Sequence, residues 1–407
     1  MTISPNSTTF GRLASQAPDA LLAIIGLHRS DPRPDKIDLG VGMYRDEGGA
    51  TPIMRCIKEA ERRLVASQTS KGYLGAEGDA EFTTLLANMV FGDALAGSPR
   101  LTGVQTPGGT GALRLGAELL ARSQDKPEIW IGTPTWPNHA PIFQEAGLSV
   151  RVHPFFDDAT GQVDFGSMVE ALGEAKRGDI LLLHGCCHNP TGAGLEPDQW
   201  RELVAFIAQR GLVPFVDLAY QGLGDGLDAD AAFTRALISS CPDTLIAYSC
   251  DKNFGLYRER VGALWVNAAN AAETSIIRQN LLVLARSLWS MPPDHGAAVT
   301  RMVLSDPELA QLWRAELTEM RERINGLRSQ LAASHPRLAP IAAQRGMFAM
   351  LPLGPGDVET LRTRNGIYMA SSGRINIAGL THGNMDAFAS AITPFLDRAQ
   401  SSPSIVV

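Results

Sequence analysis

The sequence predicts an α/β fold: a large domain built on a mostly parallel sheet with helices on both faces, and a smaller α+β domain. Three observations predict it. Between about residues 104 and 266, short apolar runs alternate with helix-period segments, and strands that alternate with helices of that length pair in parallel and are covered on both sides. Beyond residue 300 this alternation gives way to one long amphipathic helix and then a few short strands. At 407 residues the chain exceeds what one core usually organises, so roughly two domains are expected.

The elements follow in order. The first nine residues are polar, rich in Ser and Thr, and read as a frayed tail. The apolar run Ala20–Leu27 is shorter than the ~20 residues that span a bilayer, and no basic segment precedes it as in a signal peptide. Strands are predicted at Glu128–Gly132, Leu148–Phe155, Asp179–His184, Leu212–Asp217, Thr244–Ser249 and Val261–Val266. Helical segments Gly111–Arg122 and Glu196–Arg210 lie between them. Ser305-Asp306-Pro307-Glu308 reads as a helix start, a capping side chain followed by proline. Leu309, Leu312, Trp313, Leu317, Met320, Ile324, Leu327 and Leu331 then recur every three or four residues as the buried face of that helix. Met347–Leu351 and Arg374–Ala378 are predicted strands, and Met385–Leu396 a closing helix. The large domain is expected over residues 48–312, and the small one over 1–47 together with 313–407.

Composition excludes several classes of partner. The 36 Lys and Arg against 43 Asp and Glu leave a net charge of −7 without a basic run, which argues against nucleic acid or an acidic membrane surface. Five cysteines make no disulfide framework, and their odd number points to a reducing, cytoplasmic location.

Several short stretches carry chemistry. Lys252 lies just past the strand Thr244–Ser249, and Arg260 comes eight residues later. A lysine that forms an imine with an aldehyde cofactor needs a lowered pKa, which a nearby cation supplies; the same arginine can grip a phosphate with two hydrogen bonds. Alone, this lysine reads more readily as an ordinary loop residue. Thr106-Pro107-Gly108-Gly109-Thr110-Gly111-Ala112 opens a helix, where free backbone N–H groups and the helix dipole favour a phosphate. A tight structural turn is the competing reading, and the Walker and Rossmann glycine patterns are absent. Asp217 ends a strand, where a carboxylate needs a cationic or donor partner such as a pyridinium N–H, unless it merely caps a helix. His184-Gly185-Cys186-Cys187-His188 concentrates metal-ligating types. Adjacent cysteines on a strand point to opposite faces, and no second cluster follows at zinc spacing, so no metal is expected.

Taken together, the motifs identify a family. The chain resembles class I aminotransferases of fold type I, dependent on pyridoxal 5′-phosphate, in the aspartate/aromatic amino acid aminotransferase branch. The likeness runs from about Leu39 to Leu396, through LGVGMYRDE (39–47), KGYLGAEG (71–78), QTPGGTGALR (105–114), TWPNH (135–139), HGCCHNPTG (184–192), DLAYQG (217–222), DKNFGLYRERVG (251–262), RSLWSMPPDHG (286–296) and ASSGRINIA (370–378). It implies a seven-stranded sheet in the large domain and a homodimer with shared active sites. It also implies roles for residues. Lys252 matches the Schiff-base lysine and proton shuttle, Asp217 the partner of the pyridine nitrogen, and His139 the residue behind that aspartate. Asn189 and Tyr220 match contacts to the cofactor's phenolic oxygen, and Trp136 the indole stacked on its ring. Gly108, Gly109, Thr110, Ser249 and Arg260 match the phosphate cradle. Arg374 matches the arginine that forks onto the substrate α-carboxylate, with Gly42 and Asn189 beside it. Tyr73 and Arg286 match residues that enter from a second subunit, the first onto the phosphate, the second onto a distal substrate carboxylate.

Two departures from the family pattern stand out. Asp251 precedes the lysine where a small polar residue is usual, and an unpaired anion beside a phosphate would be costly, so it is expected to face away. Leu288-Trp289, with Met291 following, replaces a more polar stretch; these side chains either shape a pocket for aromatic rings or pack a subunit interface. The resulting expectation is transamination between an aromatic or acidic amino acid and a 2-oxo acid such as 2-oxoglutarate or oxaloacetate. An aspartate-specific or specialised aminotransferase is the alternative. Arg286 argues against a lyase or decarboxylase on the same fold, and the early start of the pattern argues against a fused DNA-reading regulator.

Overall fold

A computed structural model of the chain describes residues 8–15 and 20–398. Most of the predicted N-terminal tail lies outside the described residues. Among them, no helix is long and apolar enough to cross a membrane.

Seven strands form the main sheet: β1 (Leu101–Pro107), β2 (Glu128–Thr133), β3 (Ser149–Pro154), β4 (Ile180–His184), β5 (Val213–Leu218), β6 (Thr244–Ser249) and β7 (Val261–Asn267). Their order is β1-β7-β6-β5-β4-β2-β3. Every neighbouring pair is parallel except those of β7, which runs antiparallel to β1 and β6. Successive side chains of a strand point to opposite faces, and here both faces are buried. Ile180 and Leu182 of β4 join one hydrophobic cluster, Leu181 and Leu183 the other. That is why β4 to β6 read as unbroken apolar runs rather than alternating ones.

The six predicted strands are all present, with ends moved by a residue or two. β1 was not foreseen. Thr102, Gln105 and Thr106 are polar yet buried, and Gln105 is satisfied from afar, accepting from the Asp79 backbone N–H at 2.8 Å and donating to the Pro293 carbonyl at 2.6 Å. Gly103 breaks the apolar pattern because an added Cβ would lie 2.2 Å from the Trp265 ring.

Five helices position or brace the residues singled out in the sequence: α1 (Gly108–Ser123), α2 (His139–Glu145), α3 (Pro197–Arg210), α4 (Ala271–Leu288) and α5 (Pro307–Ala333). Helix α1 starts three residues earlier than predicted, so the glycines form its first turn rather than a turn before it. Helix α5 starts as expected, with Asp306 accepting from the backbone N–H groups of Glu308 and Leu309 and Pro307 at the first position. Its predicted face is buried except Leu312, which is half-buried. Trp313 of that face stacks on Phe254 at 4.5 Å and donates to the Asn253 carbonyl at 2.8 Å. The long helix thereby braces the loop that carries Lys252. The closing pieces also form where expected: Phe348–Met350 pairs antiparallel with Arg374–Asn376, and a helix covers Met385–Arg398.

Candidate active site

The carboxyl ends of β1, β5 and β6 meet the amino end of β7, as their register requires: Gly262 pairs with Thr106 on one side and Ser249 on the other. A cleft of about 300 Å³ opens there, bounded at one end by Gly109, Thr110 and Arg260 and at the other by Gly42, Phe348 and Arg374. Lys252 lines it, with Nζ 5.3 Å from the centre of the Tyr220 ring.

Gly108 has φ +70°, and an added Cβ would sit 2.5 Å from Nη2 of Arg260. The glycine therefore lets the guanidinium lie against the first turn of α1, where backbone N–H groups lack helical acceptors. Nη1 of Arg260 donates to the Tyr257 carbonyl at 3.0 Å and to Oδ2 of Asp251 at 2.6 Å. The expectation that Asp251 faces away is overturned. It is buried, lines the cleft and lies 3.8 Å from Nζ of Lys252. The anion is not unpaired, which removes the cost on which that expectation rested.

Asp217 lies on the floor of the cleft. His139, fully buried at the start of α2 and behind the cleft wall rather than in it, bonds Oδ2 of Asp217 through Nε2 at 3.1 Å. Donation from Nε2 leaves Nδ1 to accept from the Thr135 hydroxyl at 2.8 Å. Burial pushes the Asp217 pKa up, but the His139 hydrogen bond and the nearby Lys252 charge outweigh it and hold the carboxyl below its ordinary value. Burial, then the Asp217 charge, pushes the Tyr220 phenol up, so it stays a hydrogen-bond donor. Asn189 and Trp136 complete this wall. Oδ1 of Asn189 is buried without a partner.

Arg374 donates from Nη2 to the Gly40 carbonyl at 2.8 Å and lies 4.7 Å from the Phe348 ring centre, while its buried Nε has no partner. Phe348 is a site residue that sequence reasoning missed, for it looks like any apolar strand residue. It packs so close to Gly42 that a Cβ there would meet it at 2.6 Å.

Tyr73 and Arg286 do not line this cleft. Tyr73 is 96% exposed, and Arg286 donates to the Ser290 hydroxyl at 3.0 Å on the surface. Leu288 is exposed as well, whereas Trp289 packs against the core on the α1 and α4 side of the sheet. Neither lines the cleft of its own chain. The Leu74 N–H contacts Sδ of Met291 at 3.0 Å, which puts the 73–74 and 286–291 segments on one face.

The premise used for Cys186 and Cys187 also fails. β4 ends at His184, and Cys187 has φ +50°. Both thiols and the Asp230 carboxylate consequently lie within 4.8 Å of one another. The Asp230 oxygens already accept from the N–H groups of Gly222, Gly224 and Asp225.

The cleft fits a pyridoxal phosphate. A glycine-opened helix start with an arginine against it suits the phosphate, the anionic Asp217 suits a protonated ring nitrogen, and the unpartnered Asn189 and Arg374 atoms await polar groups. Known proteins agree. The sequence profile described as aminotransferase class I and II matches residues 34–392. A tyrosine aminotransferase of Rhizobium meliloti (strain 1021) is 54% identical over 375 residues, 91% of this chain and 96% of that protein. An aspartate aminotransferase of Escherichia coli (strain K12) is 39% identical over 395 residues, 95% of this chain and 100% of the other. Among solved structures, an aromatic-amino-acid aminotransferase from Burkholderia pseudomallei covalently bound to pyridoxal phosphate superposes with a TM-score of 0.93 at 37% identity, covering 96% of this chain and 100% of that one. A cleft that suits pyridoxal phosphate, on this fold and with this degree of kinship, makes the chain a member of the class I and II aminotransferase family and a pyridoxal-phosphate-dependent transaminase.

Proposed function

We propose that the chain exchanges the amino group of an aromatic or acidic L-amino acid (Phe, Tyr, Trp, Asp or Glu) with a 2-oxo acid such as 2-oxoglutarate or oxaloacetate. It does so by a ping-pong mechanism in a cytoplasmic homodimer with shared active sites. The observation that carries this reading is the meeting of Lys252, Asp217 and Arg374 in one cleft. Relatives named for tyrosine, aromatic and aspartate substrates support the breadth.

The cofactor, when bound, supplies an electron sink for the bond broken at the substrate α-carbon. The chain's own residues do the rest. Arg374 forks onto the α-carboxylate, with Gly42 and Asn189 beside it, and fixes which α-carbon bond faces Lys252. Lys252 takes the proton at that carbon and returns it on the other side of the exchange. Asp217, kept anionic by His139, would pair the ring nitrogen, while Asn189 and the protonated Tyr220 would hold the phenolic oxygen and Trp136 would cover the ring. Gly108, Gly109, Thr110, Ser249 and Arg260 hold the phosphate.

The exposure of Tyr73 and its shared face with the 286–291 segment support the dimer. Tyr73 of the partner subunit would reach the phosphate, and Arg286 of the partner subunit the distal carboxylate of a dicarboxylic substrate. Five free cysteines support a reducing compartment. We also assign residues 48–312 to the large domain and 1–47 with 313–407 to the small one. A panel of amino donors with 2-oxoglutarate as acceptor tests the reading. Aromatic donors and aspartate should each yield glutamate from 2-oxoglutarate, and glutamate should yield aspartate from oxaloacetate. Release of ammonia or carbon dioxide in place of an amino product would overturn it in favour of a lyase or decarboxylase.

A further inference from the structure

We propose that Asp251 is a built-in anion at the phosphate end of the cleft, which occupies Arg260 and keeps the cofactor exchangeable with solution. The inference rests on the reading that this end receives the cofactor's phosphate. Two cations face that end, Lys252 and Arg260, and Asp251 lies within 4 Å of both, at 3.8 and 2.6 Å. A dianionic phosphate arriving among Gly109, Thr110 and Ser249 therefore meets a cradle in which one of the two positive charges is offset in advance.

The guanidinium geometry adds a second effect. Arginine holds a phosphate best with two parallel N–H donors. Nη1 of Arg260 is already taken by Asp251 and by the Tyr257 carbonyl, which removes the Nη1/Nη2 edge and leaves a phosphate only the Nε/Nη2 edge, against Gly108. The other Asp251 oxygen, Oδ1, is buried with no hydrogen-bond partner. Such an acceptor cannot donate to phosphate oxygens and can only repel them, unlike a hydroxyl in the same place.

The same contacts admit an opposite role, in which Asp251 is a brace that aims Arg260 at the phosphate. The two roles differ in sign. A brace, once removed, loosens the phosphate, whereas a competing anion, once removed, tightens it.

The test uses the full-length protein freed of cofactor, titrated calorimetrically with pyridoxal phosphate, with inorganic phosphate and with pyridoxal. Asp251→Ser and Asp251→Asn should both bind pyridoxal phosphate and inorganic phosphate at least about ten-fold more tightly than wild type, as expected when a charge-assisted contact is freed. Pyridoxal, which lacks the phosphate, should change little. The rate at which bound cofactor leaves into excess competitor should fall in step. Unchanged or weaker phosphate binding in the two variants, with wild-type circular dichroism, overturns the proposal. Should the serine variant fold poorly, the asparagine variant keeps the side-chain volume and decides between the same two outcomes. The underlying reading fails separately: it falls if wild type binds no pyridoxal phosphate, or if Lys252→Ala keeps the wild-type spectrum.

Discussion

Replacing Gly108 by alanine perturbs the phosphate end of the cleft by a single methyl group, and its cost divides into two measurable parts. The first is backbone strain. Gly108 sits at φ +70°, a region that costs an alanine roughly 1–2 kcal/mol. This part belongs to the fold and should lower the Tm of the cofactor-free protein by a few degrees. The second part is contact. The new Cβ would lie 2.5 Å from Nη2 and 3.0 Å from Cζ of Arg260, so the guanidinium must move. It is not free to do so, for Nη1 is tied to Asp251 at 2.6 Å and to the Tyr257 carbonyl at 3.0 Å. Displacement costs a charge-assisted hydrogen bond to the phosphate, about 1.5–3 kcal/mol, or about 10- to 150-fold in cofactor Kd. Gly166, where an added Cβ meets no atom within 4 Å, provides the control, and Gly166→Ala should leave cofactor affinity unchanged. Equilibrium titration with pyridoxal phosphate and a melting curve without it separate the two parts. A Gly108→Ala variant that binds the cofactor within about three-fold of wild type would refute the contact between this turn, Arg260 and the phosphate.

Further expectations concern the other residues of the cleft. Lys252→Ala should lose the visible absorption of lysine-bound cofactor and at least ~10²–10⁴-fold in activity; normal turnover would remove Lys252 from the reaction. Asp217→Ala should slow proton transfer far more than it weakens cofactor binding, and it should also destabilise the fold by about 1–3 kcal/mol through the orphaned His139. A wild-type isotope-sensitive rate in that variant would contradict the assignment. Arg286→Leu should cut kcat/KM for aspartate and glutamate by about 10- to 100-fold while sparing phenylalanine and tyrosine; equal losses would make Arg286 structural. His184 is pushed down to about 3, first by burial. It therefore stays neutral in the fold, whereas the unfolded chain takes up a proton below about pH 6.5. Stability is thus lost as pH falls from 6.5 toward 3, by about 2 kcal/mol at pH 5 from this residue. Urea midpoints of His184→Gln should fall less steeply than those of wild type over that range, and parallel slopes would show the ring to be charged in the fold.

The strands and the long helix were legible in the sequence because their signals are local. Buried parallel strands are written as apolar runs, and a helix face as residues three and four apart. Asp217, Ser249 and Lys252 could be picked out because each stands where such a run ends, and in an open α/β sheet those ends line the ligand crevice. The motif order carried the family and with it the cofactor.

Tertiary structure decided what depends on partners distant in the chain or on a single backbone angle. β1 stayed hidden because its buried Gln105 is satisfied by Asp79 and Pro293, which no local pattern announces. Phe348 and Arg374 reach the cleft only because their two short strands pair beside Gly40 and Gly42. The alternation rule placed Cys186 and Cys187 on opposite faces, but the strand had ended and Cys187 turned to φ +50°. Asp251 is the instructive case. The cost of an unpaired buried anion argued that it should turn outward, and that cost is real. It vanishes once the β6–β7 hairpin folds back and sets Arg260 at 2.6 Å, because the energy of a charge is fixed by its neighbours in space and the sequence states only its neighbours along the chain.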